Sequence, residues 1–117
     1  MPVDNVLASL AVKDITRSAR WYAALFDREG EAPMKELREW SFPRGGALQV
    51  YELPQRAGTG SCTLAVSDLE EQVRKLQSLG IDTGDRQENA RVKTLMVTDP
   101  DGNHIAFAQA LDTGLAR

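Results

Sequence analysis

One cysteine and one histidine are all that this chain of 117 residues offers of the two residue types that most often hold transition metals. A lone Cys62 cannot close a disulfide within the chain, so a reducing, cytoplasmic setting is expected. Its plainest role is that of a small buried hydrophobe. A lone His104 excludes any single-chain site made of three imidazoles, or of two imidazoles and a carboxylate. No apolar run nears the roughly 20 residues that cross a membrane. The stretch Met1–Asn5 has no basic segment leading into an apolar one, so no signal peptide is expected either. Neither charge sign dominates: 14 Lys and Arg stand against 17 Asp and Glu, and the basic residues are scattered, which leaves no footprint for nucleic acid. What remains is an ordinary globular composition, 42% apolar and 26% charged, at the length of one domain.

The clearest local feature is Asp99-Pro100-Asp101-Gly102-Asn103, flanked by the β-prone runs Val92–Thr98 and His104–Gln109. Proline presets φ and glycine accepts φ > 0, so a hairpin turn is expected here. The chain also repeats itself. Leu10-Ala11-Val12-Lys13-Asp14-Ile15 returns as Leu64-Ala65-Val66-Ser67-Asp68-Leu69, an offset of 54, and Pro43-Arg44-Gly45 returns as Pro100-Asp101-Gly102, an offset of 57.

Each half follows one grammar. A strand over Val6–Val12 leads to Asp14, a suitable N-cap, and to a helix whose Ile15, Ala19, Tyr22, Leu25 and Phe26 form one apolar stripe with Trp21 at its edge. Gly30 can end that segment; strands over Lys35–Phe42 and Ala47–Leu53 follow, with room for another between Asp27 and Met34. The second half has a strand over Ser61–Val66 and capping-box spacing in Ser67-Asp68-Leu69-Glu70. Its stripe is Leu69, Val73, Leu76 and Leu79, with Gly80 as the C′ residue, and strands follow over Ile81–Glu88, Val92–Thr98 and His104–Gln109. Glu70, Glu71, Arg74 and Lys75 are expected to make i,i+4 pairs on a solvated helix face. The expected organisation is a single α+β domain: a β-α-β-β-β module over 3–53, a Gly- and Pro-bearing linker over 54–60, a second module over 61–109 and a tail over 110–117.

The paired Leu-Ala-Val-x-Asp openings, Ser18-Ala19-Arg20-Trp21-Tyr22 on the first helix and Asp99–Asn103 together resemble the vicinal oxygen chelate superfamily, also called the glyoxalase/bleomycin-resistance/dioxygenase superfamily. The resemblance spans about residues 3 to 109. It implies two tandem modules whose sheets curve around a cleft, with helices on the outer face, and a homodimer for a chain this short. It does not imply one activity, because the superfamily holds lyases, isomerases, dioxygenases, thiol transferases and drug-sequestering binders.

Metal-dependent members carry ligands on the opening strand and after the hairpin of each module. By the resemblance and the repeat these positions are Leu7, Gln49, Ser61 and Ala106. Two have no donor atom, one is a neutral hydroxyl and one an amide, so no metal and no other cofactor is expected. Strand alternation adds Ser9, Tyr51, Thr63 and His104 to the same cleft face, with Trp40 a further candidate while the register of its strand is open. No carboxylate falls on that face in this reading, which argues against strongly cationic drugs. The function expected is metal-free binding of a small organic molecule in a homodimer cleft. The alternatives are a metal-independent isomerase or lyase using His104 and Tyr51 as acid and base, a scaffold with a vestigial cleft, and, last, a metal-dependent glyoxalase or dioxygenase.

Overall fold

Asp14 and Asp68 start the two helices in the same way. Asp14 is extended, and its Oδ1 accepts from the backbone N–H of Thr16 at 3.0 Å and of Arg17 at 3.3 Å. Asp68 accepts from Glu71 N at 3.2 Å. The second cap is therefore Asp68 and not Ser67, one residue later than the capping-box spacing suggested, which keeps it in step with the repeat. The next N–H is also taken from outside the helix in both halves: Ile15 N donates to Glu52 Oε1 at 3.0 Å, and Leu69 N to Gln109 Oε1 at 2.9 Å. Each helix start is thus tied to the last strand of its own module.

The structure, a computed structural model, describes residues 2–111; residues 112–117 of the expected tail lie outside the described residues. The elements in order are β1 (Ala8–Val12), α1 (Ile15–Phe26), β2 (Glu31–Met34), β3 (Leu37–Ser41), β4 (Ala47–Glu52), β5 (Ser61–Ala65), α2 (Leu69–Ser78), β6 (Arg86–Glu88), β7 (Val92–Thr98) and β8 (His104–Ala110). They make two four-stranded mixed sheets, ordered β1-β4-β3-β2 and β5-β8-β7-β6, in which only β1–β4 and β5–β8 run parallel. Each module is β-α-β-β-β with its helix on one face of its sheet. Among the described residues no helix is long and apolar enough to cross a membrane.

The first helix buries Ile15, Ser18, Tyr22 and Leu25 against Leu10, Val12, Trp40, Leu48 and Val50. Tyr22, Phe26 and Trp40 form an aromatic group with ring centroids 5.6–6.2 Å apart, and Trp40 Nε1 donates to Arg28 O at 2.9 Å. Gly30 does not end α1. Asp27 does, in the left-handed conformation at φ 58°, and Gly30 makes room for the indole, since a Cβ there would lie 2.8 Å from the Trp40 ring. The second helix buries Leu69, Val73 and Leu76 against Leu95, Val97, Ile105 and Phe107, while Leu79 stays 41% exposed. Glu70 pairs with Arg86 and reaches Lys93 at 4.0 Å across the sheet, in place of the expected pairing along the helix.

Only Arg86–Glu88 of the expected Ile81–Glu88 strand pairs with β7. Before it, Asp82 Oδ1 accepts from Gly84 N at 2.9 Å, an Asx-type turn that takes the backbone out of extended geometry. In the stretch 54–60, Pro54–Arg56 form a single 3-10 turn, and the chain divides after Gly60 into two compact units.

The first unit takes in residues 100–103 as well. Asn103 is fully buried; its Nδ2 donates to Ala11 O at 2.8 Å and its Oδ1 accepts from Gly60 N at 2.9 Å. Asp101 Oδ2 accepts from Lys13 N at 2.9 Å. Gly102 has the expected positive φ, 108°. Gly58, at φ 82°, lies so close beneath the turn that a Cβ would sit 2.0 Å from Asp101 O.

Cys62 lies on the helix-facing side of β5, opposite Ile105. Burial, and then the charge of Asp99, push its thiol up to about 11.

Three outcomes follow from this packing. Asn103→Ala removes the side-chain partner of the Gly60 N–H and one of the two donors to the Ala11 carbonyl, and should cost about 1–3 kcal/mol in denaturant unfolding. Gly58→Ala should destabilise well beyond Gly45→Ala, since Gly45 shares the positive φ (98°) but a Cβ there would meet nothing within 4 Å. Cys62 should react with a disulfide reagent at about pH 8 roughly a hundredfold more slowly than an unperturbed thiol, and at the normal rate once the chain is unfolded.

Candidate functional site

Alternation along β3 decides one face of the first sheet. Trp40 pairs with Leu48 and Leu48 with Ala8, so the indole faces α1 and is fully buried. Trp40 is therefore not on the open face proposed for it. The same alternation turns its neighbour Glu39 outward. Glu39 pairs with Gln49, Gln49 with Ser9, and Glu31 lies opposite Glu39 on the edge strand, which gives one row across four strands. Ser9 Oγ donates to Gln49 Oε1 at 3.2 Å, and Gln49 Nε2 donates to Glu39 Oε1 at 2.9 Å. Because a carboxylate only accepts, Glu39 fixes which end of the Gln49 amide faces it. Tyr51 belongs to the same face two residues on, half-buried between Ala11 and Leu37. Leu7 precedes β1 and is 44% exposed.

The second sheet repeats the pattern. Thr63 pairs with Ala106 as Ser9 pairs with Gln49, the equivalence that the two sequence offsets require. Ser61, His104 and Thr98 form one row of the open face, and Thr63, Ala106 and Met96 the next. Beside these rows lies the segment 81–85. Ile81 N donates back to Leu76 O at 3.0 Å, Gln77 Nε2 donates to Thr83 Oγ1 at 3.2 Å, and Met96 N donates to Asp85 O at 2.9 Å. Held at both ends, this segment walls an open recess of about 440 Å³ with Ile81, Asp82, Asp85, Met96, Thr98 and His104 around it.

Of the residues singled out in the sequence, Ser9, Gln49 and Tyr51 share the first sheet's open face, and Ser61, Thr63, His104 and Ala106 share the second's. The expectation of a face without carboxylates does not hold. Glu39 stands on the first sheet, and Asp82 and Asp85 stand at the recess of the second. Glu39 was within reach of the sequence: burying the large Trp40 obliges its neighbour to face the other way. Asp82 and Asp85 were hidden by the strand assigned across them.

The residues at the four positions that the resemblance assigns to metal ligands do not fit a catalytic divalent cation. Leu7 and Ala106 have no donor, Ser61 offers a neutral hydroxyl, and the Gln49 amide is engaged at both ends by Ser9 and Glu39. Among the described residues no three His, Cys, Asp or Glu side chains come together as a metal-holding group.

A family model described as a glyoxalase-like domain matches residues 7–108. No curated protein matches the chain. Among solved structures, a glyoxalase/bleomycin resistance protein from Catenulispora acidiphila is 30% identical at a TM-score of 0.81, with 90% of this chain and 96% of that one covered. TnmS3, an antibiotic binding protein from Streptomyces sp. CB03234, is 21% identical at a TM-score of 0.80, with 94% and 98% covered. A glyoxalase/bleomycin resistance protein from the same Streptomyces is 21% identical at 0.76, with 91% and 100% covered. The repeated β-α-β-β-β modules and a family match that runs through nearly all of both place this chain in the glyoxalase-like domain family of the glyoxalase/bleomycin-resistance/dioxygenase superfamily.

Proposed function

We propose that the protein binds a small organic molecule against the open faces of its sheets, as a homodimer, without the metal-dependent chemistry of its superfamily. The observation that carries this reading is Gln49. The resemblance aligns it with a ligand position of metal-dependent members, and its oxygen accepts from Ser9 while its nitrogen donates to Glu39. A side chain held in that way supports recognition of hydrogen-bonding groups and not the polarising of two substrate oxygens by a cation. The open faces suit a ligand: small residues such as Ser61, Thr63 and Ala106 leave room, and Tyr51, Gln49 and His104 supply a few polar groups. The structural likeness to TnmS3, an antibiotic binding protein, agrees with a binder. A homodimer and a cytoplasmic setting are part of the same proposal.

Native mass spectrometry of freshly purified protein, with metals retained, tests it in one measurement. A dimer without metal and with an added organic mass is the expected spectrum. One divalent metal ion per site would overturn the reading and return the metal-dependent enzymes to first place.

A further inference from the structure

The two modules carry equivalent turns. Ser41 pairs with Ala47 and Thr98 with His104, and these pairs enclose Phe42-Pro43-Arg44-Gly45-Gly46 and Asp99-Pro100-Asp101-Gly102-Asn103. Gly45 and Gly102 both take a positive φ, 98° and 108°, so both turns reverse the chain by the same means. Beyond that they differ. In the first, Phe42 N donates to Gly46 O at 2.9 Å and Gly45 N to Phe42 O at 3.0 Å, and Pro43 to Gly46 lie exposed. In the second, Asn103 stands in place of Gly46 and is fully buried, and Asp101 stands in place of Arg44. Their side chains bond Ala11 O, Gly60 N and Lys13 N, all in the first unit. Reversal does not require these two side chains, because the first turn reverses with Arg44 and Gly46 in their places.

The chain leaves one unit for the other at three places: after Gly60, after Asp99 and after Asn103. Asn103 stands at one of these and holds a second through the Gly60 N–H. Asp99, at the third, is 3% exposed. Directly behind the turn Thr98 pairs with His104 and Val97 with Ile105, and Val97 and Ile105 belong to the core of the second unit. A turn that leaves the first unit therefore drags this hairpin with it or breaks its last pairs.

We propose that the turn 99–103 is a coupling device: through Asn103 and Asp101 it makes the opening of one unit and the opening of the other a single event. Whatever holds one unit closed then holds the other closed as well.

The chain contains its own reporters for the test. Trp21 and Trp40 lie in the first unit, and Cys62, the single cysteine, lies in the second. Urea unfolding of the full chain is followed by tryptophan fluorescence and, in parallel, by a pulse of disulfide reagent that labels exposed Cys62. The wild-type midpoints should coincide. Asn103→Gly gives the second turn the residue found in the first, and its tryptophan midpoint should fall below its Cys62 midpoint by about 0.5–1 M. Asp101→Ala removes only the bond to Lys13 N and should open a smaller gap. Ile15→Val, a small loss in the core of the first unit, should lower both midpoints equally when the turn is intact.

Separate midpoints in the wild type, coincident midpoints in Asn103→Gly, or a Cys62 midpoint unmoved by Ile15→Val would each overturn the coupling. If Asn103→Gly does not fold, Asp101→Ala decides: a gap supports the device and coincident midpoints overturn it.

Discussion

The buried amide of Asn103 is the interaction on which the first unit depends. It donates to the Ala11 carbonyl on β1 and accepts from the Gly60 N–H at the end of the connecting segment, from a side chain that is itself fully buried. Asp101 adds a bond to Lys13 N, just past the end of β1, and Gly58 allows the two backbones to meet. The Ala11 carbonyl also receives Gly58 N at 3.4 Å, so the outer side of β1 is closed at this end by side chain and loop in place of another strand. A turn that in sequence belongs to the second half is, in space, part of the first. Its residue types answer to that duty as much as to reversing the chain.

The two modules share a framework and differ in what fills it. Both helices are capped by Asp, and both draw an N–H bond from the last strand, from Glu52 in one and Gln109 in the other. The core of the first is aromatic, built on Tyr22, Phe26 and Trp40, and needs Gly30 to admit the indole. The core of the second is mainly aliphatic, with Leu69, Val73, Leu76 and Leu95 around Phe107. The open faces differ too. One carries a hydrogen-bonded row ending in Glu39, the other small residues beside a recess with two aspartates. A duplicated framework with two unlike faces lets one chain offer different chemistry on each sheet while the same caps and turns hold both.

Membership of the superfamily fixes the framework and leaves the chemistry to a few side chains. Here those side chains form an amide locked between a hydroxyl and a carboxylate, together with residues that have no donor at all. Under the proposed function such groups select a ligand by hydrogen bonding.

The sequence by itself determined the modules, the Asp14 cap and most of the two helix stripes, because these follow from short-range rules: an Asp before an apolar stripe, a Gly in a turn, a period of two or of three to four. It also determined, through a repeat that the strand pairing reproduces residue for residue, that Gln49 stands where Ala106 stands in the other half. Only the tertiary structure decided where Trp40 and Glu39 face, that Asp82 leaves the strand to wall a recess, and that Asn103 secures Ala11 and Gly60. Each of these depends on partners distant in the chain: α1 for Trp40, β7 for the segment around Asp85, β1 for Asn103. Periodicity cannot choose among such partners. Packing does, because an indole, a buried amide and a carboxylate each have few places where their volume, hydrogen bonds or charge can be accommodated.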